Sequence, residues 1–451
     1  MPSKFISSAR RRRRRWPLLL GALLVLGAGA AVAVYLIFFQ KEGNFLCKNC
    51  EFNNQEAAKP KPKPETFKWP IYGYDQGRTR HLSINVPPPA KRIWTFKKGK
   101  GLIEFQPVMA NGFLYYVNNS GVAFAVNAKN GKKRWKRRVG ALNASSPAWN
   151  KDRLFIVTLK RNGSTDAGAI MCLNSKNGRK IWRKQLPSRA ESSPIVINGV
   201  VYFGSEDGTV YALRAKSGKK VWTYHAGGAV KGGLAFAKGN LYFGAYGGTV
   251  TAVRAKNGSR VWSVGTSGAS FNRSGNFYGT PAVAYGRVYL GNTDSFVYSF
   301  VARTGALAWR RATGDYVYSA PAVGTVPGLG PTVFIGSYDG YFYALDAKDG
   351  SVDWRYGGGG RAARISGAPT IVGSTVYYSN LGRQNTVGLD VRSGKRVWSF
   401  RHGAFNPIIS DGKRFYLTTY SSLFGMLPKG AKPGSPKKPT KPKKKPSKKK
   451  G

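Results

Sequence analysis

The chain has 451 residues and a formal net charge of +54, from 73 Lys and Arg against 19 Asp and Glu. That length accommodates two or three ordinary domains or one large repeat fold, and 57 glycines with 13% aromatic residues favour β structure rich in tight turns. Three scattered histidines (His81, His225, His402) leave little for a metal cluster or a Ser-His-Asp arrangement, and three cysteines are too few for a disulfide framework.

The basic character is not confined to the ends. Between Glu65 and Met426 there are 50 basic and 16 acidic residues, a net of +34. Such a surface attracts phosphate-rich or carboxylate-rich partners, and salt weakens the attraction.

Residues 1–15 form a basic N-terminus ending in six arginines, Arg10–Arg15, and residues 16–39 are uncharged. Two dozen apolar residues suffice to cross a hydrocarbon core of about 30 Å as a helix. A cleaved signal peptide would have a shorter apolar core and a polar sequence after the cut; here Ala31–Ala33 runs straight into VYLIFF. The expectation is a single-pass anchor with a cytoplasmic N-terminus and everything after Gln40 on the extracytoplasmic side of the cell membrane.

Cys47 and Cys50 (CKNC) follow in a polar stretch with no strand before and no helix after, a poor setting for thioredoxin-like redox chemistry. A local disulfide or two free thiols both remain open. Phe45 and Leu46 before Cys47 argue against lipid attachment, and Cys172 sits in an apolar strand pattern as a core residue. Residues 40–66, with KPKPKP from Lys59, and the Lys/Pro tail 428–451 bury too little apolar surface to fold, and are expected to be disordered.

Between them, at 67–427, one phrase recurs. VYALRAKSGKKVWTY from Val210 returns as VTAVRAKNGSRVWSV from Val250, and the pattern occurs seven times. Its glycines are Gly131, Gly178, Gly218, Gly258, Gly305, Gly350 and Gly394, each four residues before Trp135, Trp182, Trp222, Trp262, Trp309, Trp354 or Trp398. Intervals of roughly 40–47 residues mark propeller blades of four short strands. Alternating apolar residues make the strands, and the glycine accepts the positive φ of a tight hairpin turn. SEDG (Ser205–Gly208) and SYDG (Ser337–Gly340) occupy matching places in the repeat and are expected to be turns, not cation sites.

After the seventh unit, residues 406–426 supply three strands without a tryptophan, while AKRIWTF, with Trp94, is an orphan strand at the other end. Closing one onto the other gives an all-β, eight-bladed propeller without exposed sheet edges. The eight tryptophans are expected to dock blade on blade.

The unit FYALDAKDGSVDW (Phe342–Trp354) resembles the repeat of pyrroloquinoline-quinone (PQQ) enzyme-type propellers, and FKWPIYGYDQGRTR from Phe67 is similar to the segment that opens such domains. The resemblance spans 67–426. It implies either a quinoprotein dehydrogenase or a member of the non-enzymatic, BamB-like branch. The dehydrogenases use acidic and amide ligands for calcium, a catalytic aspartate and often a disulfide between adjacent cysteines. Here the innermost positions are Gln106, Ser145, Ser146, Ser192, Ser193, Lys231, Tyr278, Tyr318, Ser319, Ser366 and Asn406, with only Glu104 and Glu191 acidic nearby, and no two cysteines are adjacent. Lys231, Arg361 and Arg364 make a basic candidate funnel, unsuited to a metal that wants several charged oxygens.

The favoured expectation is therefore a monomeric, non-enzymatic binding scaffold of the cell envelope with no catalytic residue, metal or cofactor; PQQ with calcium belongs to the alternative, a PQQ-dependent oxidoreductase. The densest basic feature is KNGKKRWKRR (Lys129–Arg138). Lys132, Lys133, Arg134, Arg137 and Arg138 are a candidate patch for an envelope protein, anionic polymer or lipid; nucleic acid is not an expected partner outside the cytosol.

Overall fold

The computed structural model describes residues 43–54, 68–97, 101–163, 167–266, 275–406 and 408–431. The basic N-terminus, the anchor expected at 16–39 and the tail from 432 lie outside them. Among the described residues no helix is long and apolar enough to cross a membrane.

Eight four-stranded antiparallel blades form a ring. Blade 1 consists of Val108–Ala110, Phe113–Val117, Val122–Asn127 and Lys133–Arg138, from the centre outward. Blades 2 to 7 repeat this order over 148–185, 195–225, 235–265, 282–312, 322–356 and 370–400. Blade 8 combines Ile408–Ser410, Phe415–Thr418 and Ser422–Pro428 with Pro89–Lys97, which supplies its outer strand in the register Trp94↔Gly425 and Thr95↔Phe424. The expected closure by the N-terminal strand is what the structure contains.

The two middle strands of each blade are packed on both faces by neighbouring blades, which is why they are almost continuously apolar (VVYFG, TVYALR). Outer strands alternate, as in KVWTYH, where Trp222 is buried between exposed neighbours.

The repeated glycine and tryptophan meet across blades, not within one. The indole of Trp94 lies over Gly131, Trp135 over Gly178, and so on to Trp354 over Gly394. A Cβ on any of these seven glycines would approach the indole to 2.7–2.8 Å. The same glycines have φ between +68° and +77°, so both conformation and space require glycine. Each of those seven indoles also donates Nε1–H to a carbonyl of the next blade at 2.8–3.2 Å, for example Trp94 to Ala128 and Trp222 to Ala255. The turn itself spans five residues, closed by bonds such as Gly131 N–H to Asn127 C=O.

Trp398 departs from this pattern. Blade 8 draws its last two strands from opposite ends of the chain, so no hairpin joins them and no turn glycine lies beneath that indole. It keeps the contact with an aromatic of its own blade that the other indoles make, here Tyr377, and stacks on Phe400 as well.

A strap formed by residues 69–82 runs around the inside of the ring. The second residue of the innermost strand donates its N–H to a strap carbonyl in six blades: Met109 to Trp69, Trp149 to Pro70, Phe236 to Gln76, Val283 to Gly77, Val323 to Thr79 and Ile371 to Arg80. At blade 3 the contact runs the other way: the fully buried Arg78 guanidinium of the strap donates to the carbonyls of Ser193 and Pro194, just before the inner strand, and to that of Leu234, just before blade 4. The strap thus satisfies inner sheet edges that would otherwise be unpaired. His81–Leu82 ends it as a short strand parallel to Thr370–Val372.

The expectation of disorder throughout 40–66 is corrected at 43–54. Phe45–Leu46 adds a fifth strand to the outside of blade 5, pairing with Arg310 and Trp309, and Cys47 is disulfide-bonded to Cys50. Buried Arg287 donates to the carbonyls of Cys50 and Glu51, while Phe52 stacks on Tyr285. These partners fix a segment whose composition alone looked too polar to fold. Pro428, assigned to the tail, is likewise the last residue of a blade 8 strand.

Candidate functional site

The inner strands and the turns beside them enclose a cavity of about 410 Å³ on the ring axis. Its wall is aromatic: Tyr72 from the strap, Phe105, Tyr246, Tyr278, Tyr318 and Tyr338. Tyr278, Tyr318 and Tyr338 form an arc, with centroids 5.6 Å and 4.9 Å apart.

Charge enters through one cluster. Lys231 Nζ lies 2.9 Å from Glu191 Oε1 and 2.9 Å from Glu206 Oε1, and Arg189 approaches the other oxygen of Glu206 at 3.3 Å. Burial works against the Lys231 ammonium, but Glu191, with help from Glu206, overrides it and pushes its pKa up to about 12. Burial raises Glu191 despite its bond to Lys231. It also raises Glu104, reinforced by the nearby Glu191 charge. The Tyr278 hydroxyl is pushed up by burial and then by both carboxylates. The site therefore holds mostly neutral phenols and carboxylates that resist ionisation or already have a partner.

The inner positions identified in the sequence divide in two. Ser193, Lys231, Tyr278, Tyr318, Ser366 and Asn406 line the cavity, as do Glu104 and Glu191. Gln106, Ser145, Ser146, Ser192 and Ser319 are buried and do not line it; Ser146 Oγ, for instance, donates to the Gln106 carbonyl. Of the candidate funnel, Lys231 is in the wall, Arg364 lies 5.9 Å from the Tyr338 ring, and Arg361 begins a short 3-10 turn, Arg361–Ala363. The funnel is aromatic and acid-paired, where arginines and a lysine suggested a basic one.

Glu206 and Tyr338 belong to SEDG and SYDG, whose composition is explained by a turn alone, and Tyr246 lies at the matching place in AYGG (Ala245–Gly248). SEDG and SYDG are turns, with Ser205 Oγ and Thr209 N–H both bonded to the Asp207 carboxylate. Yet the second residue of AYGG and SYDG lines the cavity and that of SEDG pairs with Lys231 in its wall, so a structural turn also delivers a group to the site. That repeat position was the available signal.

A calcium ion takes six to eight oxygen ligands with negative charge among them. The cavity offers Glu104, Glu191 and Asn406, but Glu191 is bound to Lys231 and the Asn406 amide donates to the Glu104 carbonyl. Among the described residues no group of three His, Cys, Asp or Glu could hold a metal. The aromatic wall suits a planar ring; the donor set does not suit the calcium that would accompany a quinone.

The outer basic patch is more divided than its sequence suggested. Arg134 covers the Phe113 ring, Arg137 donates to the Gly178 carbonyl of blade 2, and Arg138 donates to Ser120 and Gly140. Lys132, Lys133 and Lys136 are exposed.

The comparisons agree with this architecture. A structure of BamB from Moraxella catarrhalis aligns with a TM-score of 0.60 at 16% identity, covering 75% of this chain and 99% of that one. The quinohemoprotein alcohol dehydrogenase ADHIIG from Pseudomonas putida HK5 aligns at 0.66 and 13% identity, covering 88% of this chain and 85% of that one. The computationally designed Ika8 protein aligns at 0.61 and 13% identity, covering 75% and 100%. A search of curated protein sequences finds no match. At these identities the structures share the fold. The family model described as outer membrane protein assembly factor BamB matches residues 86–165, 163–300 and 228–426, and the chain belongs to that family of PQQ-like β-propellers.

Proposed function

We propose that this protein is a membrane-anchored propeller of the cell envelope that works as a rigid binding scaffold for an envelope protein or anionic polymer. The family match across 86–426 carries the reading. The extracytoplasmic placement is supported by the arginines preceding the apolar stretch 16–39 and by the Cys47–Cys50 disulfide, a bond that persists in oxidising compartments. The ring locked by seven indole–glycine contacts holds its loops in fixed relation, as a scaffold requires. The exposed Lys132, Lys133 and Lys136 present charge without a structural task, and the +34 of the propeller region draws anionic partners.

The test is capture of envelope components by the full chain across a salt series, beside a variant with all three lysines changed to Ser. Arg134, Arg137 and Arg138 stay in place so that their contacts survive. The scaffold reading expects weaker capture and a shallower salt dependence in the variant; identical curves would remove the patch from the account. A second reading, a PQQ-dependent oxidoreductase, is favoured by the propeller shared with alcohol dehydrogenases and by the carboxylates Glu104 and Glu191 at an aromatic cavity. Dye reduction with alcohols after addition of PQQ and Ca²⁺ would establish it in place of the scaffold.

A further inference from the structure

Seven blades of the ring arise wholly from the repeat, and their outer strands differ at the two positions before tryptophan. These are Lys133–Arg134, Lys180–Ile181, Lys220–Val221, Arg260–Val261, Val352–Asp353 and Arg396–Val397, each with a charge; blade 5 has Leu307–Ala308. Blade 5 alone among the seven lacks an edge charge there, and it is the blade covered by the 43–54 segment. Charged edges resist further strand pairing, whereas an uncharged edge accepts it. The clip is therefore written into both partners.

The clip is held by more than two residues of strand. Arg310 donates to the Gly43 carbonyl, Ala312 N–H to Asn44 Oδ1, Cys47 N–H to the Ala308 carbonyl, and Asn53 N–H to the Tyr285 carbonyl. On its outward side it presents Phe45, 42% exposed, and Leu46, 48% exposed, followed by exposed Lys48. An adjacent apolar pair beside a lysine is the composition that settles into a headgroup layer.

Covalent reach decides where this patch can be. Gln40, Lys41 and Glu42 alone separate the apolar stretch 16–39 from Gly43, so the clip lies within about 14 Å of the end of that stretch. We infer that the rim of blade 5 is the membrane-facing surface of the propeller, with Phe45 and Leu46 in the headgroup layer and Lys48 against anionic lipid phosphate. This rests on the anchor reading given above. The KPKPKP stretch then lies in sequence between two points on the ring, Asn54 beside blade 5 and Lys68, whose ammonium lies 4.9 Å from the Trp149 ring of blade 2. Blade 1, with its basic hairpin, is diametrically opposite blade 5 and points away from the bilayer that holds the chain.

The experiment uses the full chain reconstituted in vesicles of phosphatidylglycerol and phosphatidylethanolamine. A photo-crosslinking phenylalanine analogue replaces Leu46, or Lys133 on the opposite rim as the control; both sites are exposed. The inference expects roughly tenfold more lipid adduct at Leu46 than at Lys133. Equal adducts, in protein retained by the vesicles after alkaline carbonate washing, would overturn the rim placement while leaving the anchor intact. Loss of the protein in that wash would overturn the anchor and the placement together. A protein–protein adduct at Leu46 would assign the patch to pairing between copies and overturn lipid contact.

Discussion

The outer rims of blade 1 and blade 5 answer the same problem in opposite ways. Both end a sheet with a strand whose outward backbone groups could recruit another chain. Blade 1 ends in KRWKRR, and cationic side chains guard an edge left open; Trp135 remains 8% exposed. Blade 5 ends in LAWRRA and is covered by Phe45–Leu46, so that Trp309 is fully buried. Charge and coverage are alternative ways of finishing a blade, and the choice is encoded at the two positions before the tryptophan.

The comparison is broken most severely at the indoles. Trp309→Ala should cost about 3–5 kcal/mol, because it empties a site closed on every side. Trp398→Ala, at the one blade interface without a glycine floor, should cost clearly less by urea denaturation. Equal losses would show that the indole–glycine contact is incidental.

Next in size is the cluster at the cavity. Lys231→Met strips both Glu191 and Glu206 of a partner and should approach the about 3–5 kcal/mol of a broken buried ion pair, at the low end because Lys231 retains some exposure. Adding Glu191→Gln should restore part of that loss. A double variant no better than the single would show that the pairing is not what matters.

Removing the clip's staple is milder. Cys47→Ser with Cys50→Ser releases a short loop, which the chain-entropy account values at about 2 kcal/mol, and the effect should be local. Amide exchange should quicken at 43–54 and at Ala312, whose N–H is bonded to Asn44, while blade 1 is unchanged. Uniform quickening around the ring would contradict a local clip.

The smallest effect tests the edge charges. Asp353, before Trp354 on blade 6, has its pKa raised to about 6 from 3.8 by burial and then by Asp346 and Asp349. The folded state therefore holds this proton more tightly than the unfolded state. The stability it contributes is full below pH 3.8 and is lost as pH rises through about 6. Asp353→Asn should raise the melting temperature slightly at pH 7.5 and leave it unchanged near pH 3.5; a gain at both would assign the effect to something other than charge.

How much of this was legible depends on whether the relevant partner is near in sequence or in register. The strands, their turn glycines and the closing role of Trp94 follow from period and alternation, which are local properties. The glycine's second role was invisible because its indole comes from the preceding blade. The strap at 69–82 resembled a known opening segment, but its path depends on N–H groups from six blades that no local pattern announces. The clip was hidden for the same reason: CKNC looks polar and unstructured until Arg287 and Tyr285 lie beneath it. In the cavity, inner-strand residues were found by their place in the repeat, whereas Glu206 and Tyr338 escaped because a good turn motif seemed explanation enough.

Every comparison between rims presumes a ring sealed by its own N-terminal strand. Amine-reactive cross-linking of the monomer, read by mass spectrometry, tests this at Lys91 and Lys429, exposed residues flanking the Pro89↔Pro428 and Lys91↔Leu427 pairs of blade 8. The closed ring predicts an abundant Lys91–Lys429 link within one chain. Its absence from a sample in which neighbouring lysines of blades 1 to 4 link freely would mean that the ring is open.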